Sequence, residues 1–399
     1  MSTAVMTNRL ELDSIADGAL KAATRCWFGV TVLGQLLFGF TVASFYGMTA
    51  VRGDLHRWSR FLTHGYLPGD AMGNLAVIMH VGSAVVLMLA GAAQLVPQVR
   101  SRYPIFHRWN GRLYMLAVVG VSTAGLFLTW LRKTVGDLQQ HIGSTLGAVL
   151  ILLCAAMALR YALARNFRMH RRWALRLFLA ASGSWFLRLA FFLTLAVFRG
   201  PVGFDPATFT GWFLTFMTYA QYAVPLGVLE LYFLAQDRAG WLRRMAMAGM
   251  LFVLSLAMVA GLFSVSMAIW VPQLRAAYDS RKSIAATLSA TVASSGIDAA
   301  MRQYHELKVA QPVTYNFDES ELNNLGYQFL RAKKFNEAIQ ILQLNVEAYP
   351  KSSNVYDSLG EAYLDDGNVP LAIVNYRKSL ELNPKNRGAV VTLQKLKAM

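Results

Sequence analysis

Long apolar stretches alternate with short polar connections over the first two thirds of the chain. Seven such stretches can be distinguished, at roughly 27–51, 75–97, 110–131, 142–163, 173–198, 212–235 and 245–271. A helix of about 20 apolar residues, rising 1.5 Å per residue, is long enough to cross the roughly 30 Å hydrocarbon core of a bilayer. The pattern therefore predicts a domain of about seven transmembrane helices at 27–272, with a core bundle at 75–198 and a cytoplasmic segment at 1–26 before it.

Beyond this region the sequence changes to a soluble helical pattern with a repeat of 34 residues. Four positions recur in register: Leu325, Gly326, Ala338 and Pro350 return as Leu359, Gly360, Ala372 and Pro384. They resemble the tetratricopeptide repeat (TPR), whose small residues let two helices cross closely, and this resemblance implies a protein or peptide partner. We expect a TPR-like domain at 319–399, preceded by a helical connector or degenerate repeat at 273–318.

The segment 296–307 resembles the second helix of a repeat, and it therefore indicates where the degenerate repeat lies in the chain. Ala300 then aligns with Ala338, and Tyr304 aligns with Leu342. The predicted fold class is therefore all-α: a polytopic membrane helix bundle followed by a soluble domain of helical repeats.

Composition supports a membrane protein and argues against a nucleic-acid-binding one. The chain is 55% hydrophobic and 15% charged, with a mean hydropathy of +0.37. Soluble domains carry about a quarter charged residues. The net charge of +16 arises mainly from residues that flank the apolar stretches, which is typical of membrane topology. We therefore expect contact with membrane lipid and no nucleic-acid partner.

The basic residues also predict an orientation. The side of the membrane that holds the N-terminus carries sixteen Lys and Arg in its short segments, and the opposite side carries six. The side with the excess is the cytoplasm. We expect a bacterial inner membrane protein with a cytoplasmic N-terminus, and seven crossings would place residues 273–399 in the periplasm.

Four histidines are spaced so that each falls on a different one of the second to fifth apolar stretches. Because neighbouring spans run in opposite directions, His80 and His141 lie toward the outer side and are called the outer pair. His107 and His170 lie at cytoplasmic helix ends and are called the inner pair. Alternate helices of a four-helix bundle face each other diagonally, so two imidazoles placed in this way can ligate one haem iron from both sides.

This arrangement resembles the di-haem b-type cytochromes of the transmembrane ascorbate-dependent ferric reductase class, over about 75–198. The resemblance implies one or two b-type haems, with each histidine pair as iron ligands, and transmembrane electron transfer. Arg188 lies deep in the fifth stretch, where a cation needs an anion or a wet cavity. A haem propionate would supply the anion; a quinone, a lipid phosphate or a backbone carbonyl is the alternative.

Three segments resemble a bacterial family of predicted membrane proteins with no assigned function. They are HRWNGRLY from His107, HRRWALR from His170, and HVGSAVVLMLAGAAQLVP from His80. Each inner-pair histidine is also followed by an arginine at a helix end, a place where side chains commonly reach lipid phosphates. The histidines could therefore hold haem, hold another metal such as copper, or hold no cofactor.

Two functional hypotheses follow. The leading one is electron transfer through b-type haem, with the repeats recruiting a periplasmic partner. The alternative is a non-redox membrane scaffold or transporter-like protein that organises an envelope complex through its TPR domain. The sequence contains no hydrolase motif of the GxSxG or HExxH type, so we name no catalytic residue.

The orientation is tested by fusing alkaline phosphatase or a fluorescent protein to the C-terminus in a bacterial host. With seven crossings, the phosphatase fusion is active and the fluorescent fusion is dark, because these reporters mature on opposite sides of the inner membrane. A fluorescent, phosphatase-inactive C-terminus would mean that the number of crossings is even.

Overall fold

The computed structural model describes residues 3–62, 65–67, 69–134, 136–205, 209–238 and 240–397. The chain divides into two compact units, Met1–Tyr278 and Asp279–Met399, which we call the membrane unit and the repeat unit. The division lies six residues beyond the predicted boundary at 272, because the last apolar helix continues to Tyr278. The other predicted domain boundaries remain predictions.

The described part of the membrane unit is helical apart from its connections. Its helices are α1 (Thr3–Val51), a 3₁₀ helix (Leu55–Arg60), α2 (Ala71–Leu95), α3 (Pro97–Arg102), α4 (Pro104–Trp130), α5 (Leu138–Leu163), α6 (Phe167–Ala181), α7 (Gly183–Phe198), α8 (Trp212–Arg238), α9 (Trp241–Val265), a π-helical segment (Ser266–Trp270) and α10 (Val271–Tyr278). All seven predicted apolar stretches are helical, and the all-α prediction is confirmed.

The first helix is much longer than a membrane crossing requires. It has 49 residues, which at helical rise is roughly 74 Å. No proline occurs between Thr3 and Val51, so nothing in the backbone chemistry interrupts the helix. The described part of the segment predicted as a separate region at 1–26, from Thr3 onward, therefore joins the first span in one continuous helix.

The described helices support fewer spans than the seven predicted. Five are long and apolar enough to cross a membrane, and α6 with α7 forms a sixth if this pair, bent by 48°, counts as one span. Helix α8 does not meet the same criteria, since Gln221, Pro225 and Glu230 interrupt its apolar sequence. Because the number of crossings decides the side of the C-terminus, the location of the repeat unit remains a prediction.

The second to fifth predicted spans pack against one another as a bundle. Helix α2 lies along α4, α4 packs on α5, and α5 packs on α6, which also contacts α2. Their shared interior at mid-height is filled by buried side chains, among them Leu87, Val118, Cys154 and Leu177. The bundle is thus held together by close packing of apolar residues from four helices.

The repeat unit, as described over residues 279–397, contains three helical hairpins and a final helix. Its elements are β1 (Lys282–Ser283), α11 (Ile284–Ser295), α12 (Ile297–Ala310), β2 (Tyr315–Asn316), α13 (Glu319–Arg331), α14 (Phe335–Ala348), α15 (Ser353–Asp365), α16 (Val369–Leu382) and α17 (Arg387–Lys397). The strands β1 and β2 pair in parallel. The first helices α11, α13 and α15 contact one another in series, and α12 contacts α14. Ala300 and Tyr304 of α12 are buried, as are Ala338 and Leu342 of α14.

The repeated glycines lie where the two helices of a hairpin cross. A Cβ atom at Gly326 would lie 2.5 Å from Cγ of Leu342, and one at Gly360 would lie 3.2 Å from the ring of Tyr376. Contacts under 3.0 Å require an atom to move, and Leu342 is fully buried. Gly326 therefore allows α13 and α14 to approach more closely than any residue with a side chain would.

We expect residues 279–399 to express as a soluble helical fragment that Gly326→Val destabilises by about 2–3 kcal/mol, because overpacking a dense core forces side chains off their preferred rotamers. Gly360→Val should cost less, since its crossing is wider. Urea unfolding monitored by circular dichroism measures both variants.

The control is Gly388→Val in α17, where the residue is exposed and its nearest described neighbour is the Asn386 side chain at 3.3 Å. A fragment without a helical spectrum, or equal effects at Gly326 and Gly388, would contradict the close-crossing model.

Candidate functional site

His80 of the outer pair is turned toward helix α4. Its Nδ1 atom lies 3.2 Å from the backbone oxygen of Val121. A carbonyl oxygen can only accept a hydrogen bond, so Nδ1 carries the proton and Nε2 of the neutral ring keeps a lone pair. Gly125, one turn further along α4, faces the ring: a Cβ there would lie 3.3 Å from two atoms of the imidazole. The absence of a side chain at Gly125 makes room for the ring.

His141 lies in the first turn of α5 and is buried. Its ring packs edge-on against Trp130, the last residue of α4, with ring centroids 5.2 Å apart. The indole N–H of Trp130 donates to the hydroxyl of Thr145 at 2.9 Å. The two outer-pair rings therefore rest on different turns of α4, at Val121 and at Trp130. Their ligation of one iron remains a prediction.

Arg188 of α7 lies among aromatic side chains close to His80. Its Nη1 donates to the backbone oxygen of Ser184 at 2.8 Å. The guanidinium carbon lies 5.3 Å from the centroid of the Phe38 ring, a cation–π distance. The observed carbonyl contact is one of the alternatives that the sequence left open, and it leaves the planar guanidinium with further donors for an anion.

The inner pair lies at the entrance of a large cavity. His170, in the first turn of α6, has Nδ1 2.9 Å from the backbone oxygen of Ala158, so its Nε2 also keeps a lone pair in the neutral ring. Nδ1 of His107 is buried and has no hydrogen-bond partner among the described residues. Both histidines line the cavity, which has a volume of about 940 Å³.

The cavity lies within the membrane unit and combines a basic entrance with an apolar interior. Its walls are formed by α1, the C-terminal end of α2, α3, the first turn of α4, and helices α6 to α9. The cationic side chains at its entrance are Lys21, Arg25, Arg100, Arg171 and Arg244. Of these, Arg244 donates hydrogen bonds to Asp13 and Asp17 of α1. The sequence did not predict this cavity, because its walls come from helices that are far apart in the chain.

The arginine run at 165–176, which the sequence indicated as a topology signal, also joins two helices. Arg176 binds Glu230 of α8 through two hydrogen bonds of 2.7 and 3.0 Å. Arg172 pairs with Asp237, about two helix turns further along α8. Glu230 is therefore a partner of α6, and these two ion pairs connect α6 to α8 at the cavity wall.

No group of three or more His, Cys, Asp or Glu side chains that could hold a metal ion occurs among the residues that the structure describes. A haem iron needs only two axial ligands from the protein, so this observation does not test the histidine pairs.

The membrane unit matches a known family model. Residues 77–222 match the family described as "Predicted membrane protein (DUF2306)". This range includes all four paired histidines and Arg188. The chain is therefore similar to an integral membrane family, as its apolar helices also indicate. No solved structure matches the chain.

The C-terminal region resembles proteins with helical repeats. It is 39% identical over 61 residues to Superkiller complex protein 3 of Homo sapiens, covering 15% of this chain and 4% of that protein. It is 33% identical over 72 residues to Tetratricopeptide repeat protein 37 of Xenopus laevis, covering 18% of this chain and 5% of that protein. The chain thus spans about one twentieth of the relatives it matches. It is a membrane protein that carries a region similar to tetratricopeptide repeats.

Proposed function

We propose that this protein is a membrane-anchored adaptor. The membrane unit holds the chain in a bilayer, which we take to be a bacterial inner membrane, and the repeat unit binds a segment of a partner protein. The observation that carries this proposal is the repeat unit itself, in which three hairpins align their first helices side by side. Stacked hairpins of this kind expose an extended surface suited to peptide segments.

The surface formed by α13 and α15 is polar and built across two repeats. We call it the first-helix face, and its residues follow each other at helical spacing: Glu319, Asn323 and Tyr327 on α13, and Asn354, Asp357, Glu361 and Asp365 on α15. The hydroxyl of Tyr327 donates to Glu361 at 2.7 Å, and the amide of Asn354 donates to Glu319 at 2.8 Å. These hydrogen bonds connect the two helices in addition to the apolar core that they share.

Acidic side chains predominate on this face. Four of its seven residues are carboxylic acids. Burial raises the pKa of Asp357 and of Asp365 above the ordinary value for aspartate. A raised pKa means that the charged form is poorly solvated, and a cation supplied by a partner would stabilise it. We therefore propose a partner segment that is rich in Lys or Arg.

The side of the membrane on which this partner is found depends on the number of crossings. The excess of basic residues supports a cytoplasmic N-terminus. Seven crossings would then place the repeat unit in the periplasm, as we propose, and six would place it in the cytoplasm.

A second candidate function is electron transfer through b-type haem. The specific observation in its favour is that His80 and His170, one from each predicted pair, have Nδ1 engaged by a backbone carbonyl. Metal-bound histidines almost always have this arrangement, because it fixes the tautomer that presents Nε2 to the metal. This arrangement of His80 and His170 supports the proposed haem ligands, and Gly125 makes room for the His80 ring.

In this second function, His80 and His141 would hold one haem, and His107 and His170 would hold the other. Haem b would supply one-electron redox chemistry. Arg188 lies within the electrostatic range of His80 and would neutralise a haem propionate, because a guanidinium binds carboxylate through two parallel hydrogen bonds.

The adaptor proposal is tested by placing a photo-crosslinking amino acid at Asn354 in the full-length protein, in the membranes of its host. We expect a discrete crosslinked partner, and we expect Glu361→Lys/Asp365→Lys to abolish it by charge repulsion. The control position is Val374 of α16, which is 59% exposed and lies on a second helix. Equal crosslinking at both positions, or a product unaffected by the charge reversal, would contradict the proposal.

The haem proposal is tested by the absorption spectrum of the detergent-purified protein from cells supplied with haem. If haem binds, His80→Ala and His141→Ala should each remove the same spectral component. The double variant should lose no more haem than either single variant, because both residues would ligate the same iron. His107→Ala and His170→Ala should remove a different component. Arg188→Gln should keep the haem and shift its reduction potential.

His305→Ala, in the repeat unit, is the control for this series and should leave the spectrum unchanged. A colourless wild-type protein would exclude the redox function. If substitution of one histidine of a pair removed the spectral component of the other pair, the proposed pairing would be wrong.

A further inference from the structure

We infer that the cavity of the membrane unit binds a phospholipid whose net charge is negative, with its phosphate at the basic entrance and its acyl chains in the apolar interior. This inference goes beyond the proposed adaptor function and does not depend on it. It rests on the length of the cavity, on the separation of polar and apolar residues along it, and on an unpartnered polar atom at its entrance.

The cavity extends along the helices over the length of a lipid chain. On α8 its lining runs from Gln236 to Phe216, and on α9 it runs from Arg244 to Met258. At 1.5 Å per residue these distances are roughly 30 Å and roughly 21 Å. One leaflet of the hydrocarbon core is about 15 Å thick, half of the total. The cavity is thus long enough to hold an extended acyl chain.

The lining changes from polar to apolar in the same direction along α1, α6, α8 and α9. The entrance end is formed by Lys21 on α1, Arg171 on α6 and Gln236 on α8, and the far end is formed by Leu193 on α7 and Met258 on α9. The polar groups of the interior are satisfied within their own helices: for example, Gln221 donates to the backbone oxygen of Thr218 at 2.8 Å. The interior therefore suits hydrocarbon and offers little to a polar ligand.

The entrance favours an anion. Five cationic side chains surround it, and Asp17 is the one carboxylate among the described lining residues. Asp17 already accepts a hydrogen bond from Arg244, which leaves the charges of Lys21, Arg25, Arg100 and Arg171 in excess. Phosphate groups bind arginine through charge-assisted hydrogen bonds, often two at a time. A neutral headgroup, such as that of a quinone, would leave these charges uncompensated.

One polar atom at the entrance points to a ligand independently of the charges. Nδ1 of His107 is buried and has no hydrogen-bond partner among the described residues, although buried polar groups are nearly always paired. The neighbouring backbone oxygen of His107 is already bonded to Gln94 at 3.1 Å. His107 also lines the cavity, so a flip of its ring would turn Nδ1–H toward the cavity, where a phosphate oxygen would accept its hydrogen bond.

The lipid and the inner haem would compete for the same histidines. A phosphate at His107 and His170 excludes iron ligation by that pair, and it leaves the outer pair at His80 and His141 unaffected. We therefore assign recognition of the lipid headgroup to the inner pair, His107 and His170. It agrees with the position of these histidines beside Arg108 and Arg171 at helix ends, where lipid phosphates are expected.

The experiment compares lipids bound to the full-length protein in detergent micelles by native mass spectrometry. Phosphatidylglycerol and phosphatidylcholine with identical acyl chains are added in equal amounts. We expect wild type to retain phosphatidylglycerol at least fivefold more than phosphatidylcholine. The double variant Arg100→Gln/Arg171→Gln should lose this preference. Its control is Arg160→Gln/Arg168→Gln, which removes two exposed charges that do not line the cavity.

A second variant tests the interior. Ala257→Trp places a large side chain in the cavity wall, and it should lower retention of both lipids while the protein keeps its elution volume and melting temperature. Equal retention of the two lipids by wild type would overturn the inference, as would equal losses in the two double variants. If lipid retention is unchanged in Ala257→Trp, the acyl chains do not occupy the cavity and the phosphate binds at the protein surface. This result would also overturn the inference.

Discussion

The bend between α6 and α7 interrupts an apolar span inside the membrane unit. In hydrocarbon, every backbone N–H and C=O group must find a partner within the protein, so a helix can be interrupted only where other groups replace its hydrogen bonds. At Ser182 the hydroxyl donates to the backbone oxygen of Phe178 at 2.7 Å, and the amide of Gln35 in α1 donates to the hydroxyl at 2.8 Å. The two halves then diverge by 48°, and residues on both sides of the bend line the cavity.

The arginines of α6 illustrate how one basic segment can serve several purposes. Arg172 and Arg176 are four residues apart, so they share a helix face and pair with acids of α8. Arg171 is turned by about 100° from Arg172, as helix geometry requires, and it lines the cavity. The same residues that orient the chain in the membrane therefore also hold α6 to α8 and form part of the basic entrance.

The histidines divide into two environments. His80 and His141 are packed against α4, whereas His107 and His170 open to the cavity. A single role for all four would require both environments to hold the same group. The structure instead allows two roles, recognition of a phosphate by the inner pair and ligation by the outer pair, which the lipid and haem experiments separate.

Local sequence determined the secondary structure and the repeat. Apolar stretches long enough to span a bilayer became helices, because helix formation depends on neighbouring residues. The 34-residue period predicted which small residues lie at helix crossings, and Gly326 lies against Leu342 as expected. Tyr304 is buried in the degenerate hairpin for the same reason, since its place in the repeat is a core position.

Three features became known only from the tertiary structure. They are the position of the cavity, the partner of Glu230, and the number of helices long and apolar enough to span a membrane. Each depends on residues that are far apart in sequence: Arg176 and Glu230 are separated by 54 positions, and Gln35 and Ser182 by 147. The sequence contains the charges and hydrogen-bonding groups, but it does not state which helices become neighbours. That choice arises from the packing of whole helices, and it also decides which of the four histidines can reach a ligand.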